Sequence, residues 1–395
     1  MQSNSKTGAW QIFLIFLRLG LTSFGGPVAH IGFFRHEFVE RRRWLDERAY
    51  ADLVALCQFL PGPASSQVGM ALGLMRSGHP GALAAWLGFT LPSALFMIFF
   101  ALGVVYWSEA LESGWLQGLK IAALAVIVQA LWGMARSLCP DGMRVSFMLF
   151  SACLMLIWPW LGMPVIILLI AALAGYLFKL SSAHPPAATD QAQTGRMGWS
   201  ILGVFFALLI LLPILAWVTS ADLFLLFDSF YRAGSLVFGG GHVVLPLLQQ
   251  EMVETGRVSH EVFLAGYGAV QAMPGPLFTF AGYLGAASTS SLGGVMGGML
   301  ALIAVFLPSY LLILAVLPAW QRLRTLDWIQ SSLAGVNAAV VGLLLAAVYQ
   351  PVWITSVQRP EHLALALFAW VALTFWRCPV WLLVPLCAFA GALFF

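Results

Sequence analysis

Charged side chains are scarce in this chain. Lys, Arg, Asp and Glu make up 9% of its 395 residues, whereas 61% are hydrophobic. A soluble globular domain carries about 25% charged residues, and so few charges would leave its surface largely uncovered. We therefore expect an integral membrane protein. Its long apolar runs show no alternating polar pattern, which predicts an all-α polytopic fold rather than a β-barrel.

The signatures of metal binding and catalysis are also missing. The five cysteines form no CxxC pair and no Cys/His cluster, so the sequence predicts neither a metal site nor disulfides. It contains no nucleophile–base triad, Walker loop, HExxH or Rossmann fingerprint. We therefore predict no enzyme and no cofactor. The formal charge of +3 is too small to indicate a nucleic-acid partner.

What the chain does contain is one group of motifs that occurs twice. Phe24-Gly25-Gly26-Pro27 and Pro61-Gly62-Pro63 return in the same order as Phe238-Gly239-Gly240-Gly241 and Pro274-Gly275-Pro276. Leu91-Pro92-Ser93 likewise returns as Leu307-Pro308-Ser309. Such ordered matches indicate two homologous halves. The predicted domains are an N-terminal half (1–180), a linker (181–198) and a C-terminal half (199–395) that includes one additional span (199–218).

The charges of the loops predict how each half is oriented. Loop 35–48 has five arginines, whereas the equivalent loop 249–262 has one arginine beside three glutamates. The bias is opposite at the next pair of loops, where 108–115 lacks Lys and Arg. Positively charged loops stay cytoplasmic, so the halves are predicted to be inverted repeats, as in many secondary transporters. The polar linker is predicted to be cytoplasmic.

The glycine and proline motifs predict four helix–break–helix elements, in addition to nine ordinary spans. The four elements are 10–34, 49–76, 222–248 and 264–290. Whether each is re-entrant or a closely turned pair of short spans stays open. A break within the membrane exposes a helix N-terminus, which carries about half a positive charge and suits an anion. The alternative is a simple kink, because Gly and Pro are frequent in membrane helices.

Polar side chains near these breaks are predicted to bind an oxyanion. Arg18 and Arg232 occupy equivalent positions within apolar sequence, where a charge costs at least ~2.5 kcal/mol. Two such guanidinium groups are suited to clamping a tetrahedral dianion. The alternatives are snorkelling to the interface or an ion pair with Glu37 or Glu251. The predicted binding residues are Arg18, Phe24, Gly25, Gly26, Pro27, His30, Gln58, Pro61, Gly62, Pro63, Ser65, Ser66, Gln67, Arg232, Gly239, Gly240, Gly241, His242, Gln271, Pro274, Gly275, Pro276 and Thr279.

Two glutamates are candidates for proton coupling. Glu37 and Glu251 stand at equivalent positions, and a carboxylate in a low dielectric can titrate near neutral pH. The alternative for Glu37 is a solvated face beside the arginine-rich loop. For His30 and His242, a polar lining or proton relay competes with simple packing in the core.

These motifs resemble the bacterial chromate ion transporter family in its two-domain form. The resemblance covers essentially the whole chain and rests on the Phe-Gly-Gly and Pro-Gly-Pro pairs, with His30, Gln58 and Gln67. It implies a multi-pass secondary transporter of the bacterial inner membrane that exports chromate, confers chromate resistance and is driven by the proton-motive force. The second copy departs from the pattern at Gly241, Val244 and Phe280, which favours one asymmetric site.

Several alternatives stay open at this point. Chromate and sulfate are tetrahedral dianions of equal charge, so the residues themselves do not separate a chromate exporter from a sulfate or oxyanion uptake carrier. A passive anion channel would use the same broken helices. The expected partners are chromate, with sulfate as a competitor, protons and the lipid bilayer. The sequence does not give the oligomeric state, and a homodimer remains open. The hypothesised mechanism is alternating access.

Overall fold

The computed structural model describes six stretches of the chain: residues 8–106, 114–160, 162–180, 198–238, 241–323 and 326–395. Within them every regular element is helical, which confirms the all-α fold class. The predicted linker 181–198 lies outside the described residues apart from Gly198. Gly239, Gly240 and most of loop 108–115 lie outside them as well.

The first half contains the two predicted breaks, one after each of two helices. The chain leaves the helical conformation at Ser23 and again at Leu60, just before the glycine- and proline-rich motifs. The helices are α1 (Ala9–Thr22), α2 (Gly26–Arg35) with a π-helical turn (His36–Arg41), α3 (Glu47–Phe59), α4 (Ala64–Tyr106), α5 (Gly114–Leu138), α6 (Gly142–Ile157) and α7 (Met163–Leu177). α4 is bent where Ser77 and Gly78 are not helical.

The second half repeats this order after the additional helix α8 (Trp199–Thr219). Breaks follow α9 and α11, again at the predicted motifs. The elements are α9 (Asp222–Leu236), a 3₁₀ turn (Gly241–Val243), α10 (Val244–Met252), α11 (His260–Gln271), a 3₁₀ turn (Leu277–Thr279), α12 (Phe280–Ala287), α13 (Gly294–Val316), α14 (Trp320–Leu323), α15 (Asp327–Ala347), α16 (Ile354–Ser356), α17 (Pro360–Thr374) and α18 (Val380–Phe394).

Nine helices stand where ordinary spans were predicted, but they differ in length. Within the described residues, α4, α5, α8, α13 and α15 are long and apolar enough to cross a membrane. The other four, α6, α7, α17 and α18, have only 15 or 16 residues. At a rise of about 1.5 Å per residue they are shorter than a hydrocarbon core of about 30 Å. That these four helices cross the membrane stays a prediction.

The two halves are packed into one another. α5 of the first half packs against α17 and α18, and α15 of the second half packs against α6 and α7. Glycines allow both contacts, because a Cβ on Gly118 would collide with Cys387 O and one on Gly335 with Ala171 O. Each pair of contacts is reciprocal, as a two-fold relation requires. The inversion of the halves relative to the membrane stays a prediction from loop charge.

Equivalent helices also begin alike. Asp46 caps α3 by accepting a hydrogen bond from the Ala49 N–H at 2.8 Å, and Ser259 caps α11 through the Val262 N–H at 3.3 Å. Such caps satisfy N–H groups that have no partner within the helix. They fix where α3 and α11 start, and so set the distance from each start to the Pro-Gly-Pro turn that ends the helix.

Candidate functional site

The two Pro-Gly-Pro turns are each held by the other half of the molecule. The Gly62 N–H donates a hydrogen bond to Val237 O at 2.7 Å, and the Gly275 N–H donates one to Ser23 O at 3.0 Å. Both acceptors lie at the breaks that precede the Phe-Gly-Gly motifs. Gly62 and Gly275 have φ angles of 123° and 95°, which favour glycine. The four breaks are thus joined in reciprocal pairs.

The first turn is closed by a side chain from the second half. A Cβ on Gly62 would collide with Ser309 Oγ and would lie 2.8 Å from Gln67 Nε2. Gln67 is itself fixed, because its Nε2 donates to Pro61 O at 2.7 Å. Ser309 therefore reaches the same turn as Gln67, although Ser309 belongs to α13.

Three of the predicted polar residues lie on the first turn of α4, as expected. Ser65, Ser66 and Gln67 are buried there, and Pro63 directly precedes the helix instead of lying within it. The Oγ atoms of Ser66 and Ser309 and the Oε1 of Gln67 are buried and have no hydrogen-bond partner among the described residues. Leaving such a group unpaired costs about 1–3 kcal/mol. Because Gln67 and Ser309 both reach Gly62, their unpaired atoms are suited to a polar ligand at this turn.

The second turn is apolar by comparison. Phe278 and Phe280 follow it and are fully buried, and Phe280 packs against the rings of Phe263 and Tyr267. Thr279, a predicted ligand, donates its hydroxyl to Pro276 O at 2.9 Å and so is satisfied locally. The segment that follows this turn therefore offers little to a polar ligand, whereas Ser23 Oγ and Gln271 Nε2 beside the turn are buried and unpaired among the described residues.

The remaining polar candidates divide between the interior and the surface. His30 is buried, with Nε2 3.1 Å from Ser23 O and Nδ1 3.4 Å from Ser65 Oγ, so it joins the first turn. His242 is partly buried, with Nδ1 2.8 Å from the Tyr267 hydroxyl. Gln58 is exposed on α3. Gln271 is partly buried, and its Nε2 has no hydrogen-bond partner in the described part of the chain.

The Phe-Gly-Gly segments of the two halves approach one another. Gly25 and Gly26 have positive φ angles of 99° and 76°, and Pro27 follows in the first turn of α2. A Cβ on Gly241 would lie 3.2 Å from the Pro27 ring. Phe24 is half-buried, with its ring centroid 5.9 Å from that of Trp381. The breaks of both halves are therefore brought together around the turns.

The equivalent arginines have different surroundings. Arg232 Nη2 lies 2.9 Å from both Asp228 Oδ2 and Glu251 Oε2, so the predicted alternative of an ion pair with Glu251 is present. Arg18 is exposed and makes no ion pair within the described ranges. The sequence analysis missed Asp228, although its position four residues before Arg232 is typical of a helical ion pair.

Comparison with known proteins relates both halves to one family. The family model described as Chromate transporter matches residues 10–176 and again 224–392. The chain belongs to the chromate transporter family. The Pseudomonas aeruginosa chromate transport protein is 27% identical over 368 residues, which cover 89% of this chain and 83% of that protein. A probable chromate transport protein of Synechococcus elongatus is 28% identical over 398 residues, covering 97% and 95%. No solved structure matches.

In this chromate transporter family member, Glu37 lies at the edge of the basic loop. It accepts hydrogen bonds from Arg41 Nη1 at 2.9 Å and from Arg42 Nε at 2.5 Å. Burial alone would raise the pKa of Glu37, but the hydrogen bonds and charges of the two arginines outweigh it and hold that pKa below its ordinary value. Glu37 is therefore ionised at neutral pH in this conformation.

Proposed function

We propose that this protein exports chromate across the bacterial inner membrane by alternating access, with the anion bound at the paired turns. The reciprocal hydrogen bonds of Gly62 with Val237 and of Gly275 with Ser23 carry the proposal. Each half supplies one turn and the carbonyl that holds the other turn. Rocking one half against the other would therefore change both turns together, as carriers with repeated halves require.

Electrostatics favours export over uptake as the direction of transport. Moving an elementary charge across the membrane potential changes its energy by about 2.3 kcal/mol per 100 mV. An anion leaving a cell that is negative inside moves downhill by this amount for each charge it carries. The electrical part of the proton-motive force therefore drives export, whereas an uptake carrier would have to work against it.

Glu251 is the better placed of the two proposed proton-coupling residues. It shares one nitrogen of Arg232 with Asp228, and both carboxylates are buried. Two carboxylates that share one guanidinium nitrogen are strongly coupled, and a proton on either one relieves their repulsion. Glu37, in contrast, has two arginines to itself.

The test is chromate flux in inverted membrane vesicles with an imposed proton gradient. We expect chromate to accumulate inside the vesicles, sulfate to compete, and a protonophore to abolish the accumulation. Chromate movement that is indifferent to collapse of the gradient would refute proton-motive coupling and favour the channel. Substituting Arg18 and Arg232 by Ala tests the arginine clamp, because retained transport at normal membrane levels would remove both residues from the binding site.

A further inference from the structure

The unpartnered atoms at the first turn differ in what they can bond. Ser66 and Ser309 carry hydroxyls, which donate or accept, and both are at most 3% exposed. Gln67 is fully buried and turns its Nε2 to Pro61 O at 2.7 Å. A carbonyl oxygen only accepts, so this bond fixes which end of the amide is the nitrogen. The free end of Gln67 is therefore the oxygen Oε1, which can only accept.

A fully deprotonated oxyanion does not match these donor and acceptor atoms. All of its oxygens are acceptors, so the two serines can donate to it, but Gln67 Oε1 faces it with a negative partial charge. A monoprotonated oxyanion carries one O–H together with several acceptor oxygens. Its O–H would donate to Gln67 Oε1, while its other oxygens would accept from Ser66 and Ser309. The buried groups of Gln67 and Ser309, which both reach Gly62, would then be satisfied.

We propose that the first turn selects the monoprotonated form of its oxyanion substrate, and that Gln67 recognises this form by accepting a hydrogen bond from its O–H. This inference rests on the proposed chromate transport and adds the protonation state of the transported species. Ser309 completes the site from the other half. The second turn has Phe280 where the first has Gln67, so it lacks this amide acceptor.

The same contact separates chromate from sulfate. Chromate takes up its first proton close to neutral pH, whereas sulfate takes up a proton only in strong acid. At neutral pH a substantial share of chromate therefore carries the O–H, and sulfate almost never does. A site built to bond a substrate hydroxyl strongly rejects an analogue that lacks it, because a buried polar group of the protein is left unpaired. Gln67 therefore discriminates against sulfate by at least about tenfold.

The effect of pH on ionisable groups of the protein near this turn has to be distinguished from its effect on the substrate. His30 contacts Ser65 on the first turn of α4. Arg18 lies on α1, which packs against α4, and Asp228 and Arg232 lie on α9, which packs against α13. Titration of any of these groups would give every anion the same pH profile. If the protein selects a protonated substrate, the pH profile instead differs from one anion to another, according to the proton affinity of each anion.

The experiment uses the purified full-length protein in liposomes with equal pH on both sides. Exchange of labelled chromate is measured across the range in which chromate takes up its proton, and inhibition by sulfate and by arsenate, which also carries a proton at neutral pH, is measured beside it. We expect the KM for total chromate to rise with pH while the KM calculated for the monoprotonated form stays constant. Arsenate should inhibit better than sulfate. A KM that follows the dianion, or sulfate inhibiting as well as arsenate, would overturn the inference.

The variants Gln67→Met and Ser309→Ala test the residues. Gln67→Met removes the acceptor at similar length and should lower the preference for arsenate over sulfate at least about tenfold. Ser309→Ala should raise the KM for chromate, whereas Ser93→Ala, at the equivalent position beside the apolar turn, should leave it unchanged. Unaltered selectivity in Gln67→Met would refute the role of Gln67, and an unaltered KM in Ser309→Ala would refute that of Ser309. Absence of chromate exchange at every pH would instead contradict the proposed function itself.

Discussion

The two Pro-Gly-Pro turns both have a glycine with a positive φ angle, but their side-chain surroundings differ. After Pro63 the chain continues with small and polar residues, and Ser66 Oγ and Gln67 Oε1 are buried without partners in the described part of the chain. After Pro276 it continues with Leu277 and Phe278, and the hydroxyl of Thr279 is already bonded. The two copies therefore share the break in the helix, and they differ in the side chains that follow it.

The equivalent arginines show a complementary difference. Arg232 in the second half is held by Asp228 and Glu251, whereas Arg18 is exposed. Leu14 stands in the first half where Asp228 stands in the second. The second half has thus developed a buried network of charges, and the first half has a polar turn. Equivalent position in a repeat does not imply equivalent function.

The largest effect should come from breaking this network. Arg232→Ala leaves two buried carboxylates without their cation, and removing one partner of a buried ion pair costs about 3–5 kcal/mol. Arg18→Ala removes an exposed side chain and should change stability by less than about 0.5 kcal/mol. The measurement is unfolding of both variants in detergent, followed by helical circular dichroism. Equal losses of stability would show that the arginines have the same role.

A smaller effect is expected at the glycine of the first turn. Gly62→Ala places a side chain against Ser309 and Gln67 at a φ of 123°. We therefore expect the free energy of unfolding to fall by about 2 kcal/mol. We also expect chromate exchange to be lost. Gly256→Ala is the matched control, because its φ is 72° and nothing lies within 4 Å of the new Cβ. Gly256→Ala should lower the free energy of unfolding by about 1 kcal/mol, because of backbone strain alone. Full exchange activity in Gly62→Ala would separate this turn from the substrate path.

The smallest effect concerns Glu37 and appears only in acid. Its pKa is held below the ordinary carboxyl value by Arg41 and Arg42 despite its burial. A carboxyl with a lowered pKa stabilises the fold above its unfolded pKa, and this contribution is lost as pH falls through the folded pKa. Glu37→Gln should therefore flatten the acid limb of a stability–pH curve, with a loss near neutral pH of about 1 kcal/mol. An unchanged acid limb would contradict the lowered pKa of Glu37.

Much of the fold followed from the sequence because its signals are local or repeated. Clustered glycine and proline favour a break in a helix, so all four breaks were predicted from the local motifs. The duplicated order of motifs gave two halves, which the family matches at 10–176 and 224–392 confirm. The shortness of α6 and α7 is also visible in the sequence, because Trp158-Pro159-Trp160 separates their apolar segments.

The sequence by itself determined a helical membrane protein of two similar halves, each broken at the same two places. Only the tertiary structure decided which residues meet at those breaks. Ser309 lies far from Gln67 along the chain and reaches Gly62 because the halves pack reciprocally. Glu251 lies beside the local pair of Asp228 and Arg232 only because α10 packs against α9. Local pattern fixes where a helix stops, whereas burial and pairing depend on contacts between residues distant in the chain.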